Sequence, residues 1–290
     1  MKVVTVKNKL TPYMYQKFNM SKTWLALVIG NSRSHWGLFT DKTLIYTWDS
    51  SHVSVDVVQD VAKTGEIQKL FSGFNFSHLL VDFPRIAIAS VVPKQTEIWQ
   101  IYNNVKIITL DDVPLKAMYP TLGIDRAIAI YGAGNNLGFP ILVIDAGTAL
   151  TFTSANNNQE LTGGAILPGL GLQLATLRNK TGQLPDVELP KKLPPRFAMN
   201  TDEAMQSGVI YTLIAGIKDF VENWWCDFPD GKVMMTGGDS ETIHGYLRSH
   251  YPNICDPITV ERNLIFWGMR ELWEKGKGKR SEKRARYKNK

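Results

Sequence analysis

The stretch "ILVIDAGTALTFTS" (residues 141–154) sets a carboxylate, Asp145, two residues ahead of a Gly-Thr turn between two strand-like runs. An earlier stretch, "TWLALVIGNSRSHWGLFTD" (residues 23–41), has the same form around Gly-Asn-Ser, but Val28 stands where the later copy has its Asp. Turns of this kind offer backbone N–H groups and a hydroxyl in a concave arrangement suited to phosphate oxygens. Two of them across a cleft would hold a nucleoside triphosphate from both sides. A third group lies between, in "YPTLGIDRAIAIYGA" (residues 119–133), where Asp125 and Arg126 stand at the step from a Gly-containing turn into an Ala/Ile-rich helix. A carboxylate beside a guanidinium there suits a base and an anion clamp. It equally suits a first-turn acid that favours the helix dipole. The residues alone leave both open.

Other chemistries lack their motifs. The chain has no GxxxxGKS/T loop, and "PGLGLQL" lacks the third glycine of a dinucleotide fingerprint. HExxH, paired-Cys and GxSxG patterns are absent too, which removes support for metal-hydrolase, zinc-module and α/β-hydrolase readings.

The elements that must carry these turns come in two matching sets. In the first half, "WLALVI", "HWGLF" and "TLIYTW" are short β-rich runs broken by "GNSRS" and "TDK". In the second, "ILVID", "LTFTS" and "ELTGGAIL" are broken by "AGTA" and "ANNNQ". Each set predicts a three-strand antiparallel meander. Mixed helix and strand follow each: "SVDVVQDVAKTGEIQKLF", "RIAIASVV" and "VKIITL" after the first, "TDEAMQSGVIYTLIAGIKDFVENWW" and "KVMMTGG" after the second, with "ERNLIFWGMRELWEK" as a closing helix. Strands alternating with helices predict an α/β fold built from two related domains around a cleft. The expected division is a disordered leader over 1–22, domains over 23–137 and 138–274, and a basic tail over 275–290.

Bulk properties agree. The 290 residues suit two domains, and no apolar run approaches the roughly 20 residues of a membrane helix. The leader is mixed and Lys-rich without a signal-peptide core, and Met20 is an alternative start to Met1. Cys226 and Cys255 are lone and distant, which points to a reducing compartment and so to the cytoplasm. The net charge of +6 comes from the tail, where "KGKGKRSEKRARYKNK" holds nine Lys/Arg and one Glu. Such a block is a solvated tail whose only expected partner is nucleic acid or an anionic surface, held weakly and non-specifically.

Taken together, the motifs resemble the type III pantothenate kinases, bacterial enzymes of the actin and sugar-kinase superfamily, from about residue 24 to about 274. The family's Asp-x-Gly-Asn-Thr/Ser turn is similar to "VIGNS", its Asp-x-Gly-Thr-Ala to "DAGTA", its Gly-x-Asp-Arg to "GIDR" and its "GGAI-x-PG" to "GGAILPG". "SVVP" (90–93), "TGQLP" (181–185), "NTDEAMQSG" (200–208) and "TGG" (236–238) add to the match. The resemblance implies duplicated actin-like (ribonuclease H-like) domains and ATP-dependent phosphorylation of pantothenate, the first step toward coenzyme A. It implies Asp125 as general base and Arg126 as the holder of the pantothenate carboxylate, with Tyr119, Gly123, Ile124 and Thr201 shaping that pocket. Gly30, Asn31, Ser32, Arg33, His35 and Thr148 would cradle the ATP phosphates, with Gly237 and Gly238 near the adenosine. Asp145 would hold a monovalent cation, potassium or ammonium, and magnesium would arrive with ATP. A homodimer and no membrane association are implied as well.

Plainer roles compete: Asp145 ending a strand, Thr148 bonding its own turn, Tyr119 packing, Thr201 capping a helix. The chain also departs from the family at Val28, where an Asp is usual, and at His35, where many members have Lys. Both changes weaken the implied grip on phosphate and metal at the first turn. They leave an alternative: a catalytically impaired relative that binds or regulates.

Overall fold

The computed structural model describes residues 23–71 and 83–275. The expected leader and the basic tail beyond Lys275 lie outside the described residues.

The first half opens with β1 (Thr23–Ile29), β2 (Ser34–Thr40) and β3 (Thr43–Ser50), paired antiparallel in sequence. Next come α1 (Val55–Thr64), β4 (Arg85–Ser90), α2 (Pro93–Trp99), β5 (Val105–Ile107) and α3 (Ile124–Leu137). The second half runs β6 (Ile141–Ala146), β7 (Ala149–Ala155), β8 (Leu161–Pro168), α4 (Leu170–Lys180), α5 (Thr201–Asp227), β9 (Lys232–Thr236), α6 (Ser240–His250), α7 (Pro252–Cys255) and β10 (Ile258–Val260). A last helix, α8, spans 264–275.

One sheet has the order β3-β2-β1-β4-β5 and the other β8-β7-β6-β9-β10. In both, the first strand pairs antiparallel with the second and parallel with the fourth. Both halves therefore share an antiparallel meander continued by helix-linked parallel strands. This is the duplicated α/β architecture expected, of the actin-like class. β10 was not among the expected strands; its three residues are too few to show an alternating pattern.

Two compact units emerge, and they do not follow the chain continuously. Among the described residues, one comprises those up to Pro114, Pro120–Ala129 and those from Ile265 onward; the other comprises Leu115–Tyr119 and Ile130–Leu264.

In the first unit β1 is buried throughout its length. Its odd-numbered residues Leu25, Leu27 and Ile29 enter a core with Trp36, Trp48, Phe71 and Trp99. There Trp36 stacks on Trp48 and meets Phe71 and Trp99 edge-on, geometries that add to simple burial. The other face of the sheet is covered by α8. Trp24 lies stacked between Phe39 and Trp273, and a Cβ on Gly37 would come within 2.9 Å of Phe266. Covering on both faces explains why β1 is a continuous apolar run. In the second unit α5 lays Ile210, Leu213, Ile214, Ile217 and Val221 on β6, β7 and β9 through Leu142, Ile144, Phe152 and Val233.

Candidate active site

In the first unit the β1–β2 turn is closed by the Gly30 N–H, which donates to Arg33 O at 3.0 Å. His52 Nε2–H donates to Gly30 O at 2.8 Å and braces the turn from the chain after β3. Asn31, Ser32 and Arg33 are exposed at its tip. Val28 sits just below, 4% exposed, paired with His35 on β2 and Ala89 on β4. β-Branched Val suits that buried strand position and brings no oxygen to it.

His35 lies opposite Asp49 of β3, so Val28, His35 and Asp49 form one cross-strand row. His35 Nδ1–H donates to Asp49 Oδ1 at 2.7 Å, and Arg33 Nη1 approaches Asp49 Oδ2 at 3.4 Å. Burial alone would raise the Asp49 carboxyl, but the His35 and Arg33 charges and hydrogen bonds outweigh it and hold the group below the usual carboxylate range. Asp49 was not among the expected site residues. Both side-chain cations expected to meet phosphate at this turn share it as their anchor.

Also in the first unit, Gly123, Ile124, Asp125 and Arg126 open α3. Asp125 Oδ1 accepts the Arg126 backbone N–H at 2.8 Å, and a Cβ on Gly123 would stand 2.5 Å from that same oxygen. The glycine therefore leaves the space that the carboxylate occupies. Asp125 is half-buried, Ile124 is buried and Arg126 is only 9% exposed. An anion reaching Arg126 meets it where water screens little, which strengthens the attraction.

In the second unit the "DAGTA" turn and the "TGG" segment come together. Asp145 near the end of β6 pairs in register with Thr236 near the end of β9. A Cβ on Gly237 would stand 2.5 Å from Asp145 Oδ1 and equally close to the Ala146 carbonyl, and Gly237 has φ +95°. The TGG turn thus lies directly against the Asp145 carboxylate. The following turn holds it: Asp239 N–H donates to Ala146 O at 2.9 Å, and Ser240 Oγ donates to Gly237 O at 2.7 Å. Gly169, from "GGAILPG", donates its N–H to Thr148 O at 2.9 Å, and a side chain there would strike the Gly147 and Thr148 carbonyls. Asp145, Thr148, Gly169, Thr236 and Gly237 are therefore one cluster, with Thr148 and Gly238 exposed on it.

Thr201 is the first residue of α5 and exposed, yet the capping role belongs to Asn200, whose side chain accepts the Glu203 N–H at 2.9 Å. Capping by Thr201 is thereby corrected, since Asn200 is the better-placed acceptor. Tyr119 is exposed, on a segment tied to the β7–β8 connection where Lys116 N–H donates to Gln159 O and Leu161 N–H to Lys116 O, both at 2.9 Å. Tyr119 and Thr201 fall in the second unit, Asp125 and Arg126 in the first.

Fold and site together define a duplicated actin-like protein with a Gly turn at the end of each central strand and an acid–guanidinium pair opening a helix. Residues 24–223 match the family described as type III pantothenate kinase. A type III pantothenate kinase of Nostoc sp. (strain PCC 7120) is 53% identical over 264 residues, 88% of this chain and 95% of that protein. That of Synechocystis sp. (strain PCC 6803) is 41% identical over 250 residues, covering 86% and 89%. The chain belongs to the type III pantothenate kinase family. Among solved structures, a protein described as a Baf family transcriptional activator from Campylobacter jejuni has a TM-score of 0.58 at 21% identity, covering 88% of this chain and 99% of that one. An activator of 2-hydroxyisocaproyl-CoA dehydratase from Clostridium difficile has a TM-score of 0.50 at 11% identity, covering 90% and 97%. These two show the fold alone.

Proposed function

We propose that the chain transfers the γ-phosphoryl group of ATP to the terminal hydroxyl of pantothenate, giving phosphopantothenate for coenzyme A synthesis. Beyond family membership, one observation carries the residue roles: the Asp125 carboxylate seated at the first turn of α3 in the space that Gly123 leaves, beside the buried Arg126. Asp125 takes the hydroxyl proton on a carboxylate oxygen as the hydroxyl oxygen attacks the γ-phosphorus. The bond from that phosphorus to the β–γ bridging oxygen breaks, and ADP leaves. Arg126 holds the pantothenate carboxylate with Gly123 and Ile124 beside it on the first unit, and the family resemblance assigns Tyr119 and Thr201 on the second unit to pantothenate as well. Positioning of this kind supplies most of the acceleration in phosphoryl transfer.

Gly30–His35, Thr148, Gly237 and Gly238 hold ATP. The oxygens at Asp145 are its own carboxylate with the Ala146 carbonyl nearby, a chemistry that suits a hard cation. Asp145 is the residue for potassium or ammonium, and magnesium travels with ATP, where it screens the phosphate charge. No group of three or more His, Cys, Asp or Glu that could hold a metal occurs among the described residues.

A homodimer fits the apolar side chains left on the second unit's surface, with Ile166 at 65%, Phe197 at 91% and Met199 at 99% exposure. No helix among the described residues is long and apolar enough to cross a membrane, and a cytoplasmic enzyme suits the family's biosynthetic task. Val28 favours a second reading, in which a relative with a weakened metal–nucleotide grip binds or regulates without turnover. Purified protein with ATP, magnesium, potassium and pantothenate distinguishes the two: formation of phosphopantothenate, measured directly, supports the kinase, and its absence alongside pantothenate binding supports the second reading.

A further inference from the structure

Asp49 has no part in the roles assigned above, yet it is the residue on which the first turn's side-chain cations converge. Its Oδ1 accepts His35 Nδ1–H at 2.7 Å and its Oδ2 faces Arg33 Nη1 at 3.4 Å. The row in which it stands begins with Val28, where an oxygen is missing, and continues through His35. We propose that Asp49 is a positioning residue of the nucleotide site, fixing the His35 ring and the Arg33 guanidinium so that both meet the triphosphate at the β1–β2 turn.

The imidazole makes this necessary. A lysine ammonium is charged at every working pH and donates in three directions, so it needs no partner to meet a phosphate. An imidazole is charged only when protonated, and each ring nitrogen is committed by what the other bonds. With Nδ1–H held by the Asp49 carboxylate, Nε2 is the ring nitrogen left to meet a phosphate oxygen. His35 has Asp49 opposite it on β3 and the uncharged Val28 opposite it on β1, while Arg33 reaches the same Asp49 from the turn. His52 is the other titratable group at the turn, and its ring is taken by Gly30 O. With both its oxygens engaged by cations, Asp49 is cast as their anchor and not as a magnesium ligand.

The proposal rests on the nucleotide being ATP, as above, but its test reads binding and does not require turnover. ADP and the non-hydrolysable ATP analogue are titrated calorimetrically into the wild type, Asp49→Asn, His35→Lys and the double variant at about pH 7.5. Asp49→Asn weakens the ATP analogue about five- to twentyfold near pH 7.5. In the His35→Lys background the same change costs less than about threefold, since the ammonium needs no anchor, and the residue reflects Arg33. Equal losses in both backgrounds overturn the proposal. A higher magnesium requirement as the main effect of Asp49→Asn also overturns it, by making Asp49 a metal ligand. If the binding pattern holds while pantothenate is not phosphorylated, the activity assigned above fails and the role of Asp49 stands.

Discussion

Gly123 and Asp125 share one space: a Cβ on Gly123 would stand 2.5 Å from Asp125 Oδ1, the oxygen that also accepts the Arg126 N–H. The obstructed atom is the end of a rotatable side chain, so Gly123→Ala moves the carboxylate more than it disturbs the fold. Displacing a catalytic group by about 1 Å costs up to about a hundredfold. Turnover of Gly123→Ala is expected to fall about ten- to a hundredfold with melting nearly unchanged. Parallel loss of melting temperature would make Gly123 a residue of the fold and not of the site.

Gly237 is the contrasting case. A Cβ there would meet the Ala146 backbone at 2.5 Å as well as Asp145 Oδ1, and φ is +95°. Backbone cannot swing aside, and the conformation alone disfavours a side chain by about 1–2 kcal/mol. Gly237→Ala is expected to lose at least that much stability in urea unfolding and to bind nucleotide more weakly. Unchanged unfolding would mean that the β9–α6 turn shifts freely.

Asp239 follows the same turn, and burial holds its carboxyl above the ordinary range. The unfolded chain therefore ionises it first, so its charge favours unfolding. This penalty is absent below about pH 4 and grows as pH climbs through the raised folded value. Asp239→Asn is expected to melt higher than the wild type near neutral pH and to lose that advantage toward pH 4. An equal gain at both pH values would trace the effect to packing instead of charge.

Val28 is 4% exposed and opposite His35. Val28→Asp places a carboxylate in a buried strand, at a cost that His35 partly offsets. The variant is expected to melt lower yet to reach half-maximal rate at less magnesium–ATP than the wild type. A folded Asp variant with an unchanged or poorer nucleotide dependence would show a cleft rebuilt around the valine.

The meanders and most of the parallel strands were legible because β-rich runs end in Gly, Asn and Asp turns. Both phosphate turns and the GIDR step were legible as motifs. Asp49 was not. A two-residue turn at Asp41–Lys42 pairs Thr40 with Thr43, and counting back without interruption sets His35 opposite Trp48. An irregularity between Leu38 and Phe39 shifts the register by one, bringing Asp49 opposite His35 and onto its face. No residue pattern announces that shift. The pairing of Asp145 with the TGG turn was equally hidden, since it depends on β9 lying parallel beside β6 across 90 residues of chain. Such a long-range pairing leaves no local trace.

The central claim is that Asp125 accepts the proton of the pantothenate hydroxyl as phosphate arrives. Asp125→Asn tests it most directly, because the amide oxygen can still accept the Arg126 N–H but is a far poorer proton acceptor. Wild type and variant are compared for transfer of label from γ-labelled ATP to pantothenate, with pantothenate binding measured alongside. The account predicts steady phosphopantothenate formation by the wild type, and a loss of about 10²–10⁴-fold in the variant with binding and melting preserved. Near wild-type turnover in Asp125→Asn would contradict it.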